Sequence, residues 1–112
     1  MIVRFTPSGA DADRYKDLTP DNVYRVIGWI IDSFRIMNDQ GEPYLYSCSA
    51  FTVIDPRWPA DWITKFGKGG ERYVSPAALS EAGFFERVFD GEKEAIRILR
   101  QRLQHWEKDE VS

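Results

Sequence analysis

The side chains best suited to catalysis in this chain are one histidine and one cysteine, which lie far apart in the sequence. His105 sits near the end of the last helical segment, and Cys48 lies in the middle of the chain. A Cys–His pair for nucleophilic catalysis would depend on the fold, because no local motif of that chemistry surrounds either residue. We interpret His105 as a surface or partly packed helical residue and Cys48 as a small core residue.

Carboxylates are the next candidates, since they can act as general acids or bind divalent cations. They recur beside glycines, prolines and aromatic residues at Asp39, Glu42, Asp55, Asp61, Glu86 and Asp90. The run from Asp39 to Glu42 lacks the alternating oxygen ligands of a calcium loop. Turn formation and helix capping account for most of these positions, so we expect no catalytic residue, no metal site and no cofactor.

Two tryptophans, Trp58 and Trp62, are better candidates for binding than for catalysis. Trp58 stands between Pro56 and Pro59, in a stretch that cannot continue a central strand. Aromatic side chains held by short rigid loops make good binding hot spots. The alternative is that both tryptophans cover an open end of the sheet. The glycines within 67–70 lack the spacing of a phosphate-binding loop and predict only a turn.

Composition and charge indicate the number of domains, the cellular compartment and the kinds of partner that the chain can have. With 112 residues and an apolar fraction of 43%, the chain predicts a single folded domain, residues 1–112. The formal charge is −3 and the basic residues are scattered, which argues against a nucleic-acid partner. The longest apolar stretch, Val26–Ile31, is too short for a membrane helix, and the single cysteine fits a reducing compartment. We expect a cytoplasmic protein that does not associate with membranes.

Short β-strands with tight turns are the elements that position these residues. Alternating side chains predict strands at 2–5, 24–31, 34–37, 44–48 and 51–55. Asn38–Gly41 predicts a hairpin turn with glycine where a positive φ is needed, and Gly28 predicts a bend or bulge. Residues 8–21 are predicted to form a long loop. Residues 61–66 are predicted to form either a short strand or one helical turn, and residues 72–74 a brief strand. We detect no internal repeat.

Helices are predicted in the C-terminal third of the chain. Ser75 as N-cap, with Pro76 at the first helical position, predicts a short helix through Leu79. The cluster of apolar residues in 84–89 predicts a second helix. The segment 92–108 predicts an amphipathic helix packed on the sheet, because apolar residues recur every three or four positions at Ile96, Leu99, Leu103 and Trp106.

The strand and hairpin residues resemble those of a group of small bacterial SH3-like barrel proteins. In that group a Y-x-V-x-G strand leads to an R-I-x-N-D-x-G-E-P hairpin and an F-x-V strand. The matching residues here are Val23–Gly28, Phe34–Ile36, Asn38–Asp39, Gly41–Pro43, Leu45–Tyr46 and Phe51–Asp55, followed by Pro59, Trp62, Gly83–Glu86 and Phe89–Gly91. The similarity covers about residues 22–91.

This resemblance implies an α+β, mainly β fold: a small SH3-like antiparallel barrel, residues 22–91, with a C-terminal amphipathic helix, residues 92–108, packed on it. Some members of the group resemble immunity proteins of bacterial toxin systems, and no catalytic residue is carried over. We therefore expect a non-enzymatic protein-binding domain that neutralises a toxin. The residues expected to bind the partner, a basic toxin domain, are Asp39, Glu42, Trp58, Asp61 and Trp62, with charge speeding association and aromatic burial slowing release.

Two alternatives belong to other functional classes. One is a structural or regulatory SH3-like module of phage origin that forms a homodimer by strand addition, either at Tyr44–Tyr46 or along Ile2–Phe5. The other is a small enzyme that uses carboxylates. It requires Asp55 or Asp61 to have a strongly raised pKa within a cleft.

Overall fold

A computed structural model describes the backbone of residues 1–9 and 11–111 and the side chains of residues 1–9 and 13–104. The strands in this part of the chain are β1 (Ile2–Phe5), β2 (Val23–Ile30), β3 (Ser33–Met37), β4 (Pro43–Ser47), β5 (Phe51–Asp55), β6 (Trp62–Phe66) and β7 (Arg72–Pro76). The helices are α1 (Asp11–Arg14), α2 (Phe84–Phe89) and α3 (Lys93–Val111), with short 3₁₀ turns at Cys48–Ala50 and Ala77–Leu79. The predicted α+β class, mainly β, is confirmed.

The long strand β2 organises the sheet, in which every pairing is antiparallel. One edge of β2 pairs with β3, and β3 pairs with β4. The other edge pairs with β1 near the start of β2 and with β7 near its end. Strand β5 then extends β1, and β6 extends β7. Within the described residues β4, β5 and β6 each pair on one side only, so these pairings do not close the sheet into a barrel.

A β-bulge bends β2 at the glycine where the sequence predicts one. The register with β3 shifts between Val26, which lies opposite Ile36, and Gly28, which lies opposite Arg35. Ile27 is the extra residue, and both it and Val26 are fully buried. The bulge therefore curls the sheet and lets two consecutive side chains of β2 enter the core.

The core combines the inner face of the sheet with one face of the C-terminal helix. Its largest enclosed side chains include Phe5, Phe34, Ile36, Tyr46, Leu79 and Phe84. Helix α3 contributes Ala95 and Leu99, which are buried, and packs against α2 and the second 3₁₀ turn. This confirms the predicted C-terminal helix, which begins one residue later than expected.

The prediction that Ser75 caps a short helix and that Pro76 is its first residue was wrong. Both residues belong to β7, where they lie opposite Ile63 and Trp62 of β6. The 3₁₀ turn begins only after Pro76, and no side chain caps it. Pairing with a neighbouring strand therefore overrode a local capping signal, as tertiary context often does.

The sequence shows no internal repeat, but the backbone contains a repeated arrangement. Residues 32–50 and 61–79 form two copies of one arrangement: a strand, a tight turn, a second strand and a 3₁₀ turn. We call them the first and second hairpin units. Their registers are the same after a shift of 29 positions, which takes the pair Ser33–Ser47 onto Trp62–Pro76.

The backbone hydrogen bonds of the two units also correspond. The tight turns are closed by Gly41 N–H donating to the Asn38 carbonyl at 2.9 Å, and by Gly70 N–H donating to the Gly67 carbonyl at 3.0 Å. Both glycines have a positive φ, which favours glycine. Four residue types recur at equivalent positions, namely Asp32 and Asp61, Gly41 and Gly70, Glu42 and Glu71, and Tyr44 and Tyr73. The two units thus share a backbone and its turn chemistry.

Candidate functional site

The predicted site residue Asp39 ties the first hairpin turn to the loop that precedes β2. Its carboxylate accepts hydrogen bonds from the Thr19 hydroxyl at 2.6 Å and the Tyr24 hydroxyl at 2.8 Å. Burial raises the pKa of Tyr24, so this phenol remains a donor at neutral pH. Glu42 has an exposed side chain, while its backbone N–H donates to the Asn38 side-chain oxygen at 2.9 Å.

A third carboxylate lies close to these two. Asp17 accepts hydrogen bonds from the Tyr46 hydroxyl at 2.6 Å and from the Asn38 side-chain amide at 3.2 Å. Burial raises the pKa of Tyr46, so its hydroxyl also stays protonated. Among the described side chains, no cation pairs with Asp17, Asp39 or Glu42, and we call these three the acidic turn. Neutral donors bind the carboxylates of Asp17 and Asp39, Asp39 and Glu42 are exposed, and Asp17 is partly exposed.

Trp58 and Trp62 occupy different environments although their rings are in contact. Their ring centroids are 5.8 Å apart, yet Trp58 is 40% exposed and Trp62 only 8%. Trp58 also meets Trp29 edge to face at 6.3 Å. Trp62 therefore belongs to the core and supports Trp58, which is the ring that a partner can reach.

An aromatic surface continues from Trp58 across the end of β2. The guanidinium of Arg72 lies 5.3 Å from the centre of the Trp29 ring, a cation–π contact. Arg72 is paired across the strands with the strongly exposed Phe66. We call Trp29, Trp58, Phe66 and Arg72 the aromatic surface. Aromatic residues and arginine are the types enriched in protein interfaces.

Asp61 binds α3 within the protein. Its two carboxylate oxygens accept hydrogen bonds from Arg102 at 2.6 and 2.7 Å, a bidentate pair, and Arg102 is buried. The geometry is that of a strong charge-assisted contact. Asp61 therefore anchors the start of β6, and with it Trp62, to the C-terminal helix.

Asp55 does not show the raised pKa that the enzyme hypothesis requires. Its carboxylate accepts side-chain hydrogen bonds from Arg57, the closest at 2.7 Å, and the backbone N–H of Arg57 donates to it at 3.0 Å. These bonds hold the pKa of Asp55 far below its usual range. The group is therefore ionised at neutral pH, the opposite of a general acid.

The five predicted site residues fall into two groups that the fold keeps apart. Asp39 is bonded to Tyr24 near the start of β2, whereas Trp58 rests on Trp29 near its end. Five residues of strand separate these positions, or roughly 16 Å at about 3.3 Å per residue. Glu42 lies with Asp39, and Asp61 and Trp62 lie with Trp58.

Sequence reasoning missed a cavity of about 350 Å³ between the sheet and the segment 79–86. Its sheet side includes Gly28, Arg35 and Ser75, and its other side includes Phe85 and Glu86. The signal for this cavity was a charged residue, Arg35, within the otherwise apolar run of β3. The sequence places Arg35 within the hairpin motif and does not show that it is buried.

The remaining sequence predictions concern other possible sites. Cys48 packs against the core while staying partly exposed. The side chains of His105 and Trp106 lie outside the described residues. Within the part of the chain that is described, no cluster of three or more His, Cys, Asp or Glu side chains is arranged to hold a metal ion. None of the described helices combines the length and apolar character needed to cross a bilayer.

The chain was also compared with known proteins. Models of protein families, curated proteins and solved structures yield no match in any of the three comparisons.

Proposed function

We propose that this protein is a non-enzymatic protein-binding domain of the immunity type, which neutralises a toxin by covering its surface in the cytoplasm. The observation that carries the proposal is Trp58, a large side chain that is well exposed and yet held in place by Trp29 and Trp62. A ring already fixed by its neighbours loses little side-chain entropy on binding. Buried tryptophans are also frequent hot spots.

Charge supports a basic partner surface. The acidic turn presents three carboxylates without a described cationic partner, and the whole chain carries a formal charge of −3. Such a surface raises the association rate with a basic protein, and salt weakens the effect. The acidic turn and Trp58 contact positions of β2, Tyr24 and Trp29, that lie roughly 16 Å apart at about 3.3 Å per residue. A separation of this order fits within one interface of standard size, which covers about 800 Å² on each partner.

We further propose that the sheet is an SH3-like barrel. Strand β2 takes part in both halves of the sheet, because it pairs with β1 at its start and with β3 and β7 at its end. The bulge at Gly28 supplies the curl such a strand needs. Small antiparallel barrels use strands of this kind to pass from one half to the other.

Co-expression with the product of the neighbouring gene tests the proposed function. The protein should protect cells from that product and bind it with a measurable dissociation constant. Trp58→Ala should weaken binding by roughly 10- to 100-fold, because a central tryptophan contributes about 2 kcal/mol or more. Phe89→Ala is the matched control, since Phe89 is also an exposed aromatic stacked on a neighbour, Tyr44.

Salt dependence tests the electrostatic part separately. The double variant Asp39→Asn, Glu42→Gln should lower the association rate and flatten its dependence on salt, with little change in the dissociation rate. Protection that is equally strong with Trp58→Ala and with Phe89→Ala would contradict the role of the aromatic surface. A chain that neither binds nor protects against any neighbouring product would overturn the immunity proposal.

Self-association of a structural module is the second candidate, and one observation favours it. Among the described strands β4 pairs only with β3, and Tyr44 and Leu45 on it are exposed. The Tyr15 hydroxyl accepts from Ser47 N–H at 3.2 Å, and the rest of this edge is a template for strand addition. The alternative edge predicted at Ile2–Phe5 was wrong, because β1 is paired on both sides, with β2 and β5. Sedimentation over a range of concentrations should detect a dimer, and Leu45→Lys should dissociate it. A monomer at all concentrations would exclude this function.

A further inference from the structure

The Arg35 side chain, which forms the charged end of the cavity, points to the opposite face of the sheet from Trp29. Phe34 pairs with Trp29, and residues directly opposite each other share a face, so Phe34 and Trp29 lie on the same face. Arg35, the next residue of β3, points to the other face. At about 350 Å³ the cavity is near the lower end of the range for small-molecule pockets, about 300–1,000 Å³. The cavity adjoins the aromatic surface at Phe66, which lines it, while its charged end is formed by Arg35.

Arg35 is a buried cation with few partners. It is only 8% exposed, and one of its terminal nitrogens donates to the Pro43 carbonyl at 2.7 Å. Its guanidinium also lies 4.0 Å from the centre of the Phe85 ring. No carboxylate among the described residues forms an ion pair with it. Its Nε and second terminal nitrogen have no hydrogen-bond acceptor among the described residues and are not sealed off from the cavity.

The burial of the Arg35 guanidinium is energetically unfavourable unless a further group binds to it. Burial lowers the pKa of Arg35 to about 10, while the negative charge of Glu86 opposes the shift. The guanidinium nevertheless remains charged at neutral pH. A buried charge without a paired counter-ion is unfavourable in general, so proteins seldom keep one that has no function. Stacking on Phe85 offsets part of this cost, and the two nitrogens without a described acceptor are the donors that a ligand could bind.

We propose that the cavity binds a small organic anion: a carboxylate attached to an apolar body, with the carboxylate on Arg35. The planar fork of a guanidinium matches the two oxygens of a carboxylate. The ring of Phe85 and the side chains of Leu79 and Phe84 offer apolar surface next to it. Gly28 forms part of the sheet side of the cavity and, lacking a side chain, leaves room for the ligand.

Three other charged side chains line the cavity, and each affects the ligand. Lys65 donates to the Ser80 carbonyl at 3.1 Å and adds positive charge. Glu81 is paired with Arg87 at 3.1 Å, but Arg87 also binds Glu92, so only part of the negative charge of Glu81 is compensated. Glu86 has no described ion pair and is exposed, which makes it the group that competes with an incoming carboxylate. Removing the charge of Glu86 should therefore strengthen anion binding.

Three probes of one shape test the proposal: 3-phenylpropionate, its neutral amide 3-phenylpropanamide, and the cation 3-phenylpropylamine. Binding is measured by titration of the amide NMR signals of the intact protein at up to about 10 mM probe. The acid should bind with a dissociation constant of about 0.1–1 mM and shift the signals of Gly28, Ser75 and Phe85. It should bind about ten times more tightly than the amide, because a charge-assisted hydrogen bond to Arg35 is lost.

Variants of the cavity sharpen this test. Arg35→Met should abolish the preference for the acid over the amide. Glu86→Gln should tighten acid binding by a few fold, whereas Glu94→Gln, a control on α3 outside the cavity, should leave it unchanged. Circular dichroism checks that each variant is folded. If Arg35→Met does not fold, the wild-type preference and the effect of Glu86→Gln still decide the question.

The outcomes separate the proposal from its rivals. Equal affinity for acid and amide, tighter binding of the amine, or no shift of the cavity signals would each overturn it. A peptide ending in the same chemistry, acetyl-Gly-Gly-Phe, distinguishes the source of the carboxylate. Tighter binding of this peptide assigns the anion site to a polypeptide terminus, and tighter binding of the free acid assigns it to a small metabolite.

Discussion

The two hairpin units share a backbone but differ in the positions that they bury. Phe34 in the first unit is 4% exposed, whereas its equivalent in the second, Ile63, is 37% exposed. The order reverses on the returning strands, where Leu45 is 41% exposed and its equivalent Val74 only 1%. Around these positions the buried side chain is displaced by one residue between the units: Phe34 and Tyr46 are buried in the first, Trp62 and Val74 in the second. Tyr44 and its equivalent Tyr73 are exposed in both units.

The pairing with β2 explains this displacement. The first unit meets β2 through its first strand, β3, and the second unit through its second strand, β7. Trp29 lies opposite both Phe34 and Val74, so these two share the core face although they are not equivalent positions of the repeat. A repeated backbone therefore needs a different hydrophobic pattern in each copy, because its neighbours differ. For the same reason the repeat is hard to see in the sequence.

The largest difference in stability is expected when equivalent residues of the first strands, β3 and β6, are each replaced by alanine. Phe34→Ala should lower the free energy of unfolding by about 3–5 kcal/mol, because it opens a cavity in the core. Ile63→Ala should lower it by about 1 kcal/mol or less, since Ile63 is partly solvated. Denaturant unfolding followed by circular dichroism measures both values. Similar losses in the two variants would show that the units bury the same positions.

Alanine substitutions in the second strands, β4 and β7, should give the reverse order of stability losses. Val74→Ala should cost about 2 kcal/mol, and Leu45→Ala less than about 1 kcal/mol, although leucine is the larger side chain. The same unfolding measurement applies. A larger loss for Leu45→Ala would be evidence against the displaced pattern.

Asp32 and Asp61, the equivalent residues at which the two units begin, should differ in their contribution to stability. Asp61→Ala removes the carboxylate that binds the buried Arg102 and should cost about 2–3 kcal/mol. Asp32→Ala removes only a weak contact to Ser33 at 3.5 Å and should change stability by less than about 0.5 kcal/mol. Both backbone carbonyls keep their bond to the following 3₁₀ turn, so the comparison isolates the side chains. Equal losses would mean that the Asp61–Arg102 pair does not anchor α3.

A smaller difference is expected between the two turns. The Asn38 side-chain oxygen accepts from the N–H groups of Gln40 and Glu42, and Asn38→Ala should cost about 1–2 kcal/mol. In the second unit the Glu71 carboxylate accepts from Gly69 N–H at 3.1 Å in an exposed position. Glu71→Ala should therefore cost about 0.5 kcal/mol. Thermal unfolding of both variants checks the order, and a greater loss for Glu71→Ala would reverse this interpretation of the turns.

Replacing the glycine in either tight turn should lower stability by the same amount in the two units. Gly41 and Gly70 have φ values of +77° and +85°, and in neither case does a Cβ meet another atom within 4 Å. Alanine at either position should cost about 1 kcal/mol through backbone strain alone. Unequal costs would show that the two turns do not have equivalent conformations, despite their matching hydrogen bonds.

The sequence predicted well the features that depend on near neighbours. The bounds of β1 and β5, the turn at Asn38–Gly41 and the bulge at Gly28 all agree with the structure. Side-chain alternation and the glycine requirement at positive φ act over a few residues, so they are visible in one chain. The capping signal at Ser75 failed because pairing with Ile63 determined its conformation instead.

The candidate site was predicted only in part. The sequence identified Trp58 and Trp62 together, but it did not show that one ring is exposed and the other buried. It offered no sign that Asp61 binds Arg102, a residue 41 positions further along the chain. Arg35 and its cavity were missed because a charged residue in a strand is normally expected on the solvent face.

By itself, then, the sequence determined that this chain forms short antiparallel strands, where its tight turns lie and that a helix ends the fold. Only the tertiary structure decided which strand of each hairpin unit lies against β2, which tryptophan reaches solvent and that Arg35 lies beside a cavity. The physical reason is range. Turns and strands arise from interactions between neighbouring residues, whereas the face that a strand buries depends on a partner that is distant in the chain and is set when the whole sheet assembles.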